Sequence, residues 1–86
     1  MDVGSAVKAL KEGKRVTRAG WSRNGTFLYL VPPARYAAYT DAGKSIAGED
    51  GKVSYNAYIA SKSNGDGVNV WFPTTADLIA DDWYIV

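Results

Sequence analysis

Apolar residues recur along the chain with two different periods, and the change from one to the other divides it into elements. Val3, Ala6, Val7 and Leu10 follow the i, i+3, i+4, i+7 spacing of one helical stripe. Asp2 precedes them as an N-cap and Gly13 follows as a C-terminal stop, which together predict a short amphipathic helix. Beyond it the period shortens to two. Residues 14–18 (KRVTR) are compatible with a strand. Residues 27–31 (FLYLV) predict a stronger one, with Phe27, Tyr29 and Val31 on one face, Leu28 and Leu30 on the other, and both faces covered. Pro32 and Pro33 end that strand.

In the middle of the chain Tyr36, Tyr39 and the glycines of DAGKSIAGEDGK predict an irregular or hairpin excursion. Residues 53–61 (VSYNAYIAS) resume strand character, SNGDG supplies turn residues and 68–72 (VNVWF) form another strand, so the three read as a hairpin. Thr74 is an N-cap with Asp77 three residues on, a capping box with aspartate in place of glutamate, opening a helix of about two turns. WYIV closes the chain as a strand. The sum is an α+β fold, one antiparallel sheet with two short helices, in a single domain over residues 1–86.

Composition changes this picture in three ways. Eighty-six residues support one core, and without cysteine no disulfide or thiolate metal site reinforces it, so homo-oligomerisation is the expected route to stability. No apolar run approaches the roughly 18 residues of a membrane helix, and the N-terminal residues lack a signal-peptide pattern, so the cytoplasm is the expected compartment. A net charge of +1 gives no electrostatic case for DNA, RNA or an anionic membrane as partner. The charges are nonetheless segregated, with Lys14, Arg15, Arg18 and Arg23 close together near the start and Asp77, Asp81 and Asp82 near the end.

Histidine is absent along with cysteine, which removes the commonest general base, the thiol nucleophile and the usual zinc ligands. Asp81 and Asp82 are sequence neighbours whose side chains diverge, and the glycines match no phosphate loop, so no catalytic residue, cofactor or metal is expected. Binding is the better-supported class. The period of two puts Trp71 beside Asn69 on one face of its strand, opposite Val68, Val70 and Phe72. An aromatic plane next to an amide suits a base or a sugar, and it equally suits a subunit interface. Trp21 either closes its turn by packing under Phe27 or forms a pocket wall. Arg18 either pairs with Asp77 or Asp82 or holds a ligand phosphate through its planar fork. Asp82 opposes the dipole of the helix it ends, which calls for hydrogen bonds from backbone, arginine or ribose; the amides under Thr74 are free for a phosphate unless the helix caps itself.

AVKALKEGKRVTRAGW followed by FLYLVP, and VWFPTTADLIADDWYIV at the end, resemble the small phage and prophage proteins of the second Thoeris anti-defense "sponge" type. The pattern of that family runs A-L-x-x-G-K-x-V-x-R-x-G-W near the start and W-x-x-S/T-x-x-D-L-x-A-x-D-W at the end. The two blocks cover about half of the chain, and residues 34–60 match only loosely. The resemblance implies a non-catalytic protein that sequesters cyclic ADP-ribose-type signals made by bacterial TIR-domain enzymes in the cytoplasm of the host. It also implies a homo-oligomer, commonly a tetramer, with pockets shared between subunits and, in some members, cyclic dinucleotides as further ligands. Carried over by position, Trp21, Phe27, Trp71, Thr74, Asp77 and Arg18 line or support the pocket, while Asp82 and Trp83 are structural. Many relatives have an aromatic residue where this sequence has Val3. The rival class is a protein-interaction or virion accessory module with an aromatic docking face.

Overall fold

Two prolines shape the longest feature of the molecule. A computed structural model describes residues 1–65 and 67–86, with only the backbone of Ser22; Asp66, assigned above to the SNGDG turn, lies outside the described residues. Strand β2 (Phe27–Val31) pairs antiparallel with β5 (Tyr58–Lys62), and β3 (Ala34–Ala37) with β4 (Lys52–Tyr55). Both pairs share one register, running from Phe27 opposite Lys62 through Val31 opposite Tyr58 to Ala34 opposite Tyr55 and Ala37 opposite Lys52. They form a single long hairpin interrupted only at Pro32 and Pro33, which have no N–H to donate to the facing strand. The strand expected over 53–61 is therefore two strands, broken opposite the prolines, and the hairpin stretches the molecule to 46 × 27 × 22 Å.

The main sheet has the order β6-β5-β2-β1-β7, where β1 is Val16–Arg18, β6 is Asn69–Val70 and β7 is Trp83–Ile85. All of its pairings are antiparallel. Two strands are shorter than expected, β1 by two residues at its start and β6 by three overall. Helix α1 (Val3–Lys11) begins where Asp2 accepts from the Ser5 amide at 2.8 Å and ends before Gly13, whose φ of 85° lies in the left-handed region. Its Ala6, Ala9 and Leu10 bury against Val16, Leu28 and Trp83, forming the core. Helix α3 (Thr75–Ile79) carries the expected capping box but is only five residues long, shorter than two turns. The excursion, expected to be irregular or a hairpin, is the hairpin of β3 and β4, and its tip carries a further helix, α2 (Asp41–Ile46), so the described residues hold three short α-helices rather than two. The α+β class with an antiparallel sheet holds.

Register fixes which side chains share a face. Val16, Leu28, Leu30, Ile59, Trp71 and Trp83 belong to the core side. Phe27, Tyr29 and Val31 are half-buried and Tyr58, Val70 and Tyr84 exposed on the opposite side, where among the described residues the small Ala60 and Thr17 are buried between strands and no comparable core forms. Covering of both faces of 27–31 was expected; only the leucine face meets the core. The β5–β6 turn touches the loop before β2, where Asn64 donates its amide to the Asn24 carbonyl at 2.8 Å. Gly25 lies in that loop with φ 60°, and a Cβ there would stand 2.5 Å from the Asn64 side chain. Gly25→Ala is expected to cost about 1–2 kcal/mol from the left-handed backbone. Gly4→Ala, in α1 at ordinary φ with Asp2 Oδ1 3.5 Å away, is expected to stabilise by about 0.5–1 kcal/mol. Chemical denaturation of the two variants checks the opposite signs.

Candidate functional site

Three indoles and three charged side chains converge where β1, β7 and α3 meet. Trp83 on β7 is 2% exposed and lies opposite Arg18 of β1 in the sheet register. Its indole N–H donates to the Asp77 carbonyl of α3 at 3.1 Å. Trp21 opens the 3-10 turn Trp21–Asn24 and Trp71 follows β6 directly. Both meet Trp83 edge to face, with ring centroids 5.3 Å and 5.9 Å away and interplanar angles of 80° and 86°. That arrangement sets the positive edge of one ring against the negative face of another. Trp21 and Trp71 are half-buried, so each divides its surface between the core and solvent.

Arg18 occupies the middle of the charged group. Its Nη1 donates to Asp77 Oδ1 at 2.8 Å and its Nε to Asp82 Oδ1 at 2.8 Å, with Nη2 3.5 Å from Asp82 Oδ2. Where the sequence left one carboxylate or the other as partner, the structure gives both. The guanidinium carbon also lies 6.0 Å from the Trp21 ring and 5.9 Å from that of Trp83. Asp77 is buried and shared: its Oδ2 accepts the Thr74 amide at 2.8 Å, while its own amide donates to Thr74 Oγ1 at 3.2 Å. The start of α3 is thus capped by its own residues, and Thr74 itself is exposed.

These contacts set the ionisation of the group. Burial pushes the Asp77 carboxyl up, but the hydrogen bonds from Thr74 and Arg18 outweigh it and hold the group below the usual carboxylate range. Asp82 is held low chiefly by its hydrogen bond from Arg18, and the two carboxylates together raise the Arg18 guanidinium above its ordinary value. A carboxylate whose value is depressed on folding stabilises the protein fully above its unfolded-state value, ordinarily 3.8, and loses that contribution as pH falls through the folded-state value. Without histidine in the chain, thermal stability is expected to be nearly flat from about pH 8 to 5 and to fall below about pH 4. Melting curves across that range test this; a main loss between pH 7 and 6 would contradict it.

Of the six residues singled out by sequence, five gather in this region, with Thr74 at its exposed margin and Trp21, Trp71, Arg18 and Asp77 within it. Phe27 does not join them. It follows the opposite sheet face, beside Tyr29 at 6.1 Å and under the Arg15 guanidinium at 4.5 Å. Trp21 therefore packs on Trp83 and not under Phe27. Sequence reasoning placed Trp83 in the structure but missed that it is the ring on which both other indoles rest; the pairing of β1 with β7 is what creates that junction. It also missed an open cavity of about 600 Å³ between the hairpin and the far end of the main sheet, walled by Tyr36, Tyr39, Tyr55 and Tyr58. A smaller hollow of about 350 Å³ adjoins Phe27, Arg15 and Tyr84. Among the described residues no three His, Cys, Asp or Glu side chains gather to hold a metal ion.

A family model described as Thoeris anti-defense 2-like domain matches residues 1–86. Thoeris anti-defense 2 of Bacillus phage SP01 is similar at 30% identity over 86 residues, spanning 100% of this chain and 94% of that protein.

Proposed function

The chain belongs to the Thoeris anti-defense 2-like family, and from that membership we propose that it binds and sequesters cyclic ADP-ribose-type signalling nucleotides without transforming them. Family membership supports a phage anti-defense role. The observation that carries the finer reading is the pair of half-exposed indoles, Trp21 and Trp71, held edge-on against the buried Trp83. Rigid aromatic walls beside polar groups suit a base and a ribose, and their ordering is completed before the ligand arrives. Sequestration asks for no acid, base or nucleophile, in keeping with a chain that has neither histidine nor cysteine. Its demand is affinity, in the nanomolar range or about −12 kcal/mol, so that the downstream effector is outcompeted.

The active form in this proposal is a homo-oligomer, a tetramer by analogy with the family, working in the cytoplasm of the bacterial host. Phe27 lies on the face opposite the indoles, so it contributes to a pocket with Trp21 and Trp71 only when it comes from a second copy. The exposed aromatic and aliphatic side chains on Phe27's sheet face, among them Tyr58, Val70 and Tyr84, are a suitable surface for that copy. Cyclic dinucleotides are a second ligand class in this proposal.

Native mass spectrometry of the purified protein with a panel of cyclic ADP-ribose isomers and cyclic dinucleotides tests it. An oligomer that gains intact ligand masses supports sequestration and gives the stoichiometry. Uptake of nothing across the panel, together with capture of one stoichiometric host protein that survives loss of Trp71, would instead favour a protein-docking module.

A further inference from the structure

Arg18 has the chemistry of a phosphate clamp and the surroundings of something else. Each of its three guanidinium nitrogens already faces a carboxylate oxygen, and the group of Arg18, Asp77 and Asp82 sets one positive charge against two negative ones. An anionic ligand approaching that fork meets net negative charge, and only the two N–H groups left over from those three bonds remain to receive it. We propose that Arg18 is a positioning residue: its tie to Asp77 and Asp82 fixes the spacing of the Trp21 and Trp71 walls and does not hold ligand phosphate. This inference rests on the nucleotide-binding reading above and assigns a role within the same site.

The chain geometry carries it. Trp21 leaves β1 three residues after Arg18, through Gly20 at φ 92°, so the direction of its departure is set at the end of β1. That corner is held twice to Asp82, by the side chain of Arg18 and by the Ala19 amide donating to the Asp82 carbonyl at 3.3 Å. Trp71 lies three residues before Thr74, the N-cap of α3, whose position is fixed by Asp77. Asp77 in turn accepts from Arg18 with its side chain and from the Trp83 indole with its backbone. The two outer walls thus stand at opposite ends of one tie, with Trp83 as the shared surface between them. A planar fork bonds two carboxylates at fixed separation, which an ammonium, a single point of charge, does not.

The test compares Asp82→Asn and Arg18→Lys with the wild type, first without ligand by near-ultraviolet circular dichroism of the indoles, then by titration with the cyclic ADP-ribose isomer the wild type retains best. Far-ultraviolet spectra confirm that both variants are folded, as the partly exposed position of Asp82 favours. A positioning role gives altered indole dichroism in both variants and affinity weakened by about tenfold, the scale of one lost aromatic contact. A phosphate clamp gives the opposite sign for Asp82→Asn, since removing a negative charge and freeing Arg18 would tighten binding, while Arg18→Lys would weaken binding and leave the indole dichroism of the free protein unchanged. Tighter binding by Asp82→Asn, full affinity in Arg18→Lys, or unchanged dichroism in both overturns the proposal. Should the wild type retain no isomer, the nucleotide reading fails on its own, and the dichroism still decides whether the tie orders the indoles.

Discussion

Trp83→Ala is expected to abolish cooperative folding or to lower the melting temperature by about 15–30 °C, the largest stability effect in the chain. The indole is buried, contacts two other indoles and closes the core beside Val16, Leu28 and Leu10. Removing a buried tryptophan costs about 3–5 kcal/mol. Its N–H is also what satisfies the Asp77 carbonyl, so the truncation leaves that acceptor without its donor. A domain of this length has about 4–13 kcal/mol in total to lose, and a large share disappears with one side chain. Thermal unfolding followed by circular dichroism measures it; a decrease under about 5 °C would contradict the central position of Trp83.

Trp71→Ala should have the largest effect on binding with a far smaller one on the fold. The ring touches Trp83 on one side and solvent on the other, and its backbone remains fixed by donation of the Trp71 amide to the Ile59 carbonyl at 2.8 Å. Loss of one stacking wall removes about 1–3 kcal/mol per base, and a shared pocket loses it at every copy. Affinity for the best-retained cyclic ADP-ribose isomer should therefore fall by about tenfold to a hundredfold or more, with sedimentation and far-ultraviolet spectra unchanged. If Trp71→Ala instead unfolds the protein or dissolves its assembly at unchanged ligand affinity per folded chain, Trp71 belongs to the core or the interface and not to a pocket. Trp83→Ala and Trp71→Ala together separate the ring that supports from the ring that is offered.

Much of this organisation was legible in the residues, and the failures have identifiable causes. The helix over 3–11, the capping box at Thr74 and Asp77 and the strands around Leu28 and Trp83 follow local rules of periodicity and capping that the tertiary fold does not override. Helix α2 escaped because it buries nothing: DAGKSI has no apolar stripe, includes Gly43, and owes its start to Thr40 accepting the Gly43 amide at 3.0 Å. The break inside 53–61 is dictated by prolines on a different strand, invisible until the register brings Pro32 and Pro33 opposite. Register is also why Phe27 was grouped with Trp21. The pairing of Val16 with Leu28 sends Arg18 and Phe27 to opposite faces of the sheet, and no local pattern records that pairing. The ion pair of Arg18 was half visible as two segregated charge clusters; that one arginine would tie both carboxylates depended on β1 lying beside β7.

Sequestration without turnover is tested most directly by capture and release. The protein, in molar excess, is incubated with a cyclic ADP-ribose isomer, passed through a membrane that retains only protein, and the retained fraction is then heat-denatured and its small molecules weighed by mass spectrometry. Ligand missing from the filtrate and recovered after heating in full amount at unchanged mass is what a sponge gives. Ligand that passes freely for every isomer in the panel, or that returns with an altered mass, would contradict it.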